Sequence, residues 1–218
     1  MGSMVVIGIV GFVVIAVLKF VLMSPAKVGA RGERRVAGRL REGLPPEYVV
    51  VNDLYLPLDD GTTTQIDHVV VGPTGVFVIE TKNYSGWIFA NASSAKWTQT
   101  LYRKKSQFQN PLRQNYRHIC AIADNFGISK SLIHGLVVFA GDCTFKTEIP
   151  DGVVRLRDAA AQVLKFKEIV FTSEQVQKIV AAFAEKDLAV GEAGKAAHVA
   201  NLKKRHGEGL NGIRSSEP

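Results

Sequence analysis

The chain opens on an unbroken apolar run. From Met4 to Met23, MVVIGIVGFVVIAVLKFVLM, twenty residues carry one charge, Lys19, and show no polar face at the helical period. A helix of that length spans about 30 Å, the thickness of a bilayer's hydrocarbon core. Residues 1–25 therefore read as a transmembrane anchor. Lys19 lies near one end, where it can snorkel, and Lys27, Arg31, Arg34 and Arg35 follow with only Glu33 against them. The positive-inside rule then predicts a single-pass protein of an inner or plasma membrane, its globular domain facing the cytoplasm. Two rival readings are a signal peptide cleaved near Val28-Gly29-Ala30 and a buried core helix. The first lacks a basic segment ahead of the apolar run, and the second lacks any polar face.

Beyond Ser24-Pro25 the pattern changes. Residues 26–43 predict an arginine-rich helix with a narrow stripe of Val28, Val36, Ala37 and Leu40, stopped by Gly43 and Pro45-Pro46. Three strands follow, YVVVNDLYL from Tyr48, TQIDHVVVG from Thr64 and GVFVIETKN from Gly75. The stretch GWIFANASSAKWTQTLYRKK reads as a polar hairpin beyond the core. NPLRQNYRHICAIADNFG, residues 110–127, has Asn110 as N-cap, Pro111 at the first helical position, apolar residues at helical spacing and Gly127 as its stop. LIHGLVVFAG is a further buried strand, VVRL a short one, and helices are predicted over about 157–166 and 173–185. This order predicts an α/β fold, a sheet sandwiched by helices, over residues 26–187. From 188 to 218 the composition turns to Gly, Ala and charged residues, which predicts a basic, flexible tail.

The chain has 218 residues, 46% of them hydrophobic, enough for one real core. A formal charge of +7 favours a polyanionic partner, nucleic acid or an anionic membrane face. Cys120 and Cys143, in no CxxC spacing, exclude a disulfide framework and argue against structural zinc; both read as buried small apolar residues in a reducing compartment.

Candidate chemistry sits in QIDHVVVGPTGVFVIETKNYSG, residues 65–86. Its strands are apolar on both faces, yet they carry Asp67, Glu80 and Lys82, and unpaired buried charges cost several kcal/mol. A two-residue loop at Pro73-Thr74 pairs Gly72 with Gly75, Val69 with Val78 and Asp67 with Glu80, on one face. A three-residue loop with Gly75 left-handed slips the register by one, and the sequence does not choose between them. In the first register two carboxylates on adjacent strands can chelate a hard divalent cation beside Lys82.

The spaced Asp67 and Glu80-Thr81-Lys82 resemble the PD-(D/E)xK nuclease signature. The wider pattern, GARGERRV with Glu33, the hairpin block, Trp-Thr-Gln at 97–99 and NPLRQN, resembles the nuclease-related domain over about residues 26–160. Ile66 stands where the signature has proline. That resemblance implies a restriction-endonuclease-like mixed sheet flanked by helices and a Mg²⁺- or Mn²⁺-dependent hydrolase of nucleic acid, DNA ahead of RNA. It implies Asp67 and Glu80 as metal ligands with the Thr81 carbonyl, Lys82 to orient or activate water, Glu33 as an outer acidic ligand, and Gln114 facing the site. Some relatives continue into a zinc ribbon, for which this chain has no further cysteines.

The remaining signals are weaker. His68 should face away from the acids as a packed histidine, and His118, four residues after Gln114, reads as structural although it shares that residue's helical face. Arg31, Arg34, Arg35, Arg39 and Arg41 suit solvent, lipid or phosphate equally. Trp97, Tyr102 and the YRKK turn suit base stacking and phosphate contact, or a solvated hairpin tip. A catalytically silent module that tethers nucleic acid or a protein at the membrane is the alternative to an enzyme.

Overall fold

A computed structural model describes residues 25–214, with side chains from 26 to 201. The predicted anchor lies outside the described residues. Among those described, no helix is long and apolar enough to cross a membrane.

Helix α1, Pro25–Gly43, leads into the strands β1, Val49–Pro57, β2, Thr63–Gly72, and β3, Gly75–Lys82. Then come β4, Gly86–Phe89, β5, Lys96–Leu101, and β6, Lys104–Gln109, before helix α2, Pro111–Phe126. Strands β7, Ile133–Phe139, β8, Cys143–Phe145, and β9, Val153–Arg155, precede the short helix α3, Ala159–Val163, and the long helix α4, Ser173–Arg214. The main sheet runs β1-β2-β3-β7-β9, with the β1-β2-β3 meander antiparallel and β7 and β9 parallel to β3. It is mixed, as expected.

Burial on both faces explains the valine-rich strands. On one face Val69, Val71, Val76 and Val78 pack with Ala121 and Ile122 of α2 and Val176 and Phe183 of α4. On the other, Val70, Phe77, Ile79 and Val138 pack with Val36 and Leu40 of α1 and Val163 of α3. Fully burying one such side chain stabilises by about 1.5–3 kcal/mol, so the central strands dominate the hydrophobic term.

Helix α2 begins and ends as its sequence predicts. Asn110 Oδ1 accepts from the Leu112 amide at 2.9 Å, while its Nδ2 donates to the carbonyls of Ala92 and Ser94 at 3.0 and 2.7 Å. Gly127 closes the helix with φ 63, a left-handed value that glycine adopts without a Cβ penalty. Inside the helix, buried Asn115 donates to the carbonyls of Val78 and Leu136 at 2.9 and 3.2 Å, tying α2 to β3 and β7. Gly135 permits this approach, since a Cβ there would sit 3.1 Å from Asn115 Nδ2.

Three features depart from the sequence reading. The expected polar hairpin is part of a second sheet, β6-β5-β4-β8, whose inner face packs Ile88, Trp97 and Phe108 against Val137 and Phe139 of β7. The helix predicted over 157–166 shrinks to a 3-10 turn and the five-residue α3. The segment expected as a flexible tail continues α4 to Arg214 across a kink at Gly191, φ 60. Polar anchors explain that continuation: Lys195 pairs with Asp187 at 2.8 Å, and the His198 imidazole lies 2.8 Å from the Thr63 carbonyl and edge-on to Tyr55.

Candidate active site

The β2–β3 hairpin takes the two-residue loop: Gly72 pairs with Gly75, Val69 with Val78 and His68 with Ile79. The ladder stops there, one residue short of Asp67 and Glu80. Ile66 and Val69 both pack in the α2-side core, as do Leu54 and partly buried Val51 in β1, so the alternation of side chains slips by one at Asp67 and at Asp53. Asp53 takes a left-handed φ of 55 at that point. Asp67 is therefore not ladder-paired with Glu80, as the register alone predicted. Its Oδ2 instead accepts a 2.7 Å hydrogen bond from the Thr81 amide. A residue's N–H and C=O leave an extended strand on the same side, so the Thr81 carbonyl is turned towards Asp67 as well.

Glu80 and Lys82 share the face that α2 covers. Lys82 Nζ donates to Glu80 Oε1 at 2.5 Å and to Gln114 Oε1 at 3.1 Å. His118 Nε2 lies 3.3 Å from Glu80 Oε2 without hydrogen-bond alignment, and its Nδ1 meets Thr64 Oγ1 at 3.1 Å. Helical spacing puts Gln114 and His118 on the same side of α2, and Asn115 fixes that helix over the strands.

Burial and then the Glu80 charge hold the Asp67 carboxyl well above the ordinary range, against the opposing Thr81 amide. Burial pushes Glu80 up too, but Lys82 and His118 outweigh it, and Glu80 ends below its ordinary value. Burial lowers Lys82, and the Glu80 carboxylate more than reverses this, so the lysine stays an ammonium. Glu33 is raised by burial, then by Asp53 and Glu80. Arg34 and Lys82 oppose this rise without reversing it, and among the described residues Glu33 makes no ion pair; Arg35 instead donates to the Ala140 carbonyl at 2.6 Å and Arg39 to that of Arg157 at 3.1 Å.

These groups fit a hard divalent cation. Glu80 Oε2 is buried with no hydrogen-bond partner, and the Asp67 carboxylate is a second oxygen donor whose ionisation is disfavoured until positive charge arrives. Among the described residues no three His, Cys, Asp or Glu side chains form a ready metal cage. A cation here would use two carboxylates, a main-chain carbonyl and exchangeable oxygens, a set suited to Mg²⁺ or Mn²⁺ rather than zinc.

Of the residues predicted for the site, Lys82 meets Glu80 and Gln114, Asp67 meets the Thr81 amide, and Asp67, Glu80 and Glu33 lie within electrostatic range of one another. His118, read as structural, belongs beside Glu80. Asp53, exposed and accepting from Gln65 Nε2 at 3.0 Å, adds negative charge near Glu33. His68 is a packed residue as expected, buried with Nδ1 2.8 Å from Asn52 Oδ1. Trp97 is not available for stacking: it is 1% exposed and donates to the Asn91 carbonyl at 2.7 Å. Cys143 is buried, with Arg155 Nη1 3.0 Å from its Sγ, whereas Cys120 is only half-buried; both are free thiols.

The profile of the nuclease-related domain matches residues 28–140, which covers α1, the hairpin, the second sheet's first three strands and α2 through β7. The chain belongs to the nuclease-related domain family. An uncharacterized protein of Bacillus anthracis is 38% identical over 160 residues, 71% of this chain and 74% of that protein. All the nuclease-related residues gathered at the site lie inside the matched region.

Proposed function

We propose that this nuclease-related protein hydrolyses phosphodiester bonds of nucleic acid, DNA ahead of RNA, with Mg²⁺ or Mn²⁺. The observation that carries the reading is the convergence of Lys82, Glu80 and Gln114 beside Asp67, with one buried Glu80 oxygen that accepts no hydrogen bond and has only the His118 ring near it at 3.3 Å. Asp67, Glu80 and the Thr81 carbonyl would hold the cation, which when bound polarises a phosphoryl oxygen and acidifies water. Lys82, kept protonated by Glu80, is unsuited to take a proton. It orients the attacking water by donating to it and offsets charge on the phosphate. Gln114 fixes the ammonium, and His118 supports Glu80 from behind. Glu33 contributes negative charge at the outer side of the site.

In this reading residues 1–25 anchor the enzyme in an inner or plasma membrane with the domain on the cytoplasmic side. The full chain should stay in the membrane fraction after carbonate extraction; release into the soluble fraction would remove the anchor from the account. Activity is tested by incubating the purified full chain with mixed DNA and RNA substrates in Mg²⁺, Mn²⁺ or EDTA. Cleavage with metal alone supports the enzyme, and binding without cleavage under every condition supports a silent tethering module.

A further inference from the structure

The second sheet has one buried face and one that no described element covers. Strand alternation sends Ile88, Trp97, Phe108 and Phe145 inward. The same alternation sends Trp87, Phe89, Thr98, Thr100, Lys105 and Gln107 outward. Trp87 is 51% exposed and Phe89 38%, although β4 lies inside the sheet, paired with β5 on one side and β8 on the other. Two large aromatic rings on the solvent side of an interior strand are a costly arrangement unless something uses them.

The charge on this face identifies the occupant. None of the four strands contains an Asp or Glu. Lys105 stands in the register row of Trp87 and Thr100, and Lys146 Nζ sits over the Trp87 ring, 4.5 Å from its centroid, a cation on a flexible stem that a stacking base would displace towards its own phosphate. The β5–β6 turn adds Tyr102, 94% exposed, and Arg103. Rings two residues apart on one strand are separated by roughly 7 Å, about twice the 3.4 Å rise of a stacked base, so unstacked bases can seat on them in turn. Duplex bases are stacked on one another and cannot present their faces to a flat sheet.

We infer that the outer face of the β6-β5-β4-β8 sheet is a stacking platform for single-stranded nucleic acid, with Trp87 and Phe89 as base seats and Lys105 and Lys146 as phosphate contacts. The platform follows the candidate active site in the chain: three residues, Asn83-Tyr84-Ser85, separate Lys82 from β4, and Gln99 Nε2 donates to the Ser85 carbonyl at 2.8 Å. The inference rests on the nucleic-acid reading of that site and adds the strandedness of the substrate.

Binding of labelled oligothymidylate to the full chain, measured in EDTA so that no turnover occurs, tests it against a duplex of the same length and anionic lipid vesicles. Trp87→Ala should weaken single-strand binding about tenfold or more, the usual loss when one stacked aromatic is removed, and leave duplex binding within about twofold. Trp87→Phe should keep the affinity but lose the quenching of tryptophan fluorescence, because the second tryptophan, Trp97, is buried. Both variants should melt with the wild type, since the residue is exposed. Unchanged single-strand binding by Trp87→Ala overturns the platform, as does a loss confined to lipid vesicles. Failure of the nuclease reading looks different: single strands bind in EDTA and quench Trp87, yet no metal produces cleavage.

Discussion

Lys82 reaches back two residues along its own strand to Glu80, Nζ to Oε1 at 2.5 Å, and the same ammonium reaches across to Gln114 Oε1 at 3.1 Å. The helix thus controls where the strand's lysine points. Gln114→Ala removes one hydrogen bond from a charged donor, so kcat should fall about tenfold, corresponding to about 1.4 kcal/mol, with KM little changed. Steady-state kinetics check this. An equal rise in KM with kcat intact would assign Gln114 to substrate binding.

Asp67 is stressed in the absence of a cation. A carboxyl whose folded pKa is raised is fully tolerated below its unfolded pKa, and its ionisation opposes folding as pH rises through the folded value. In EDTA at neutral pH, where the unfolded carboxyl is ionised and burial opposes that ionisation in the fold, Asp67→Asn should therefore raise Tm by a few degrees, about 1 kcal/mol, because the amide can still accept from Thr81 and has no ionisation for burial to oppose. Mg²⁺ at a hundredfold excess over its Kd should stabilise the wild type by about 2.7 kcal/mol and the variant not at all. Thermal melts with and without Mg²⁺ measure both.

His68 sets an acid limit on stability. Burial, ahead of the Arg41 charge, lowers it from 6.5 to about 4. Between those values the unfolded chain binds a proton that the folded chain refuses, so stability should decline as pH falls from 6.5 and level off below about 4. The total is about 3 kcal/mol. Urea titrations across that range should show the loss, and His68→Gln, which keeps a polar partner for Asn52 without a titrating ring, should show much less of it.

Asn115 supports the site without belonging to it. Its amide makes two buried hydrogen bonds, to Val78 and Leu136. Asn115→Ala should cost about 2–3 kcal/mol in denaturant unfolding and loosen α2, so that turnover falls even in protein that is fully folded at the assay temperature. A variant of wild-type stability would mean that the hydrophobic contacts of α2 alone hold it in place.

What the sequence made legible follows the range of the interactions. Asp67, Glu80 and Lys82 were readable because charges stand out in valine strands, and Pro73-Thr74 between two glycines narrowed the hairpin to two registers. The kink at Asp53 and Asp67 was not readable, since a slip of alternation on both strands at once leaves the register sum intact. His118 looked structural because its partner, Glu80, is 38 residues earlier, and only the α2–β3 packing brings them together. The second sheet escaped because β8 has three residues and joins β4 in parallel across a long excursion. Trp97 and Trp87 look alike in sequence, and only their opposite faces separate a core anchor from an exposed ring. The continuation of α4 depends on polar contacts from Asp187, Lys195 and His198, which no apolar periodicity announces.

If Asp67, Glu80 and Lys82 form a metal-dependent hydrolytic site, cleavage and binding should separate when its residues are replaced. Wild type, Glu80→Gln and Lys82→Ala are assayed for cleavage of labelled nucleic acid in Mg²⁺ or Mn²⁺, and for binding of the same substrate in EDTA. Removing a ligand charge or the ammonium should lower turnover by about a hundredfold or more, while affinity, carried mainly by phosphate contacts elsewhere, stays within a few-fold. Equal cleavage by all three proteins, or none by the wild type with either metal despite full binding, would contradict it.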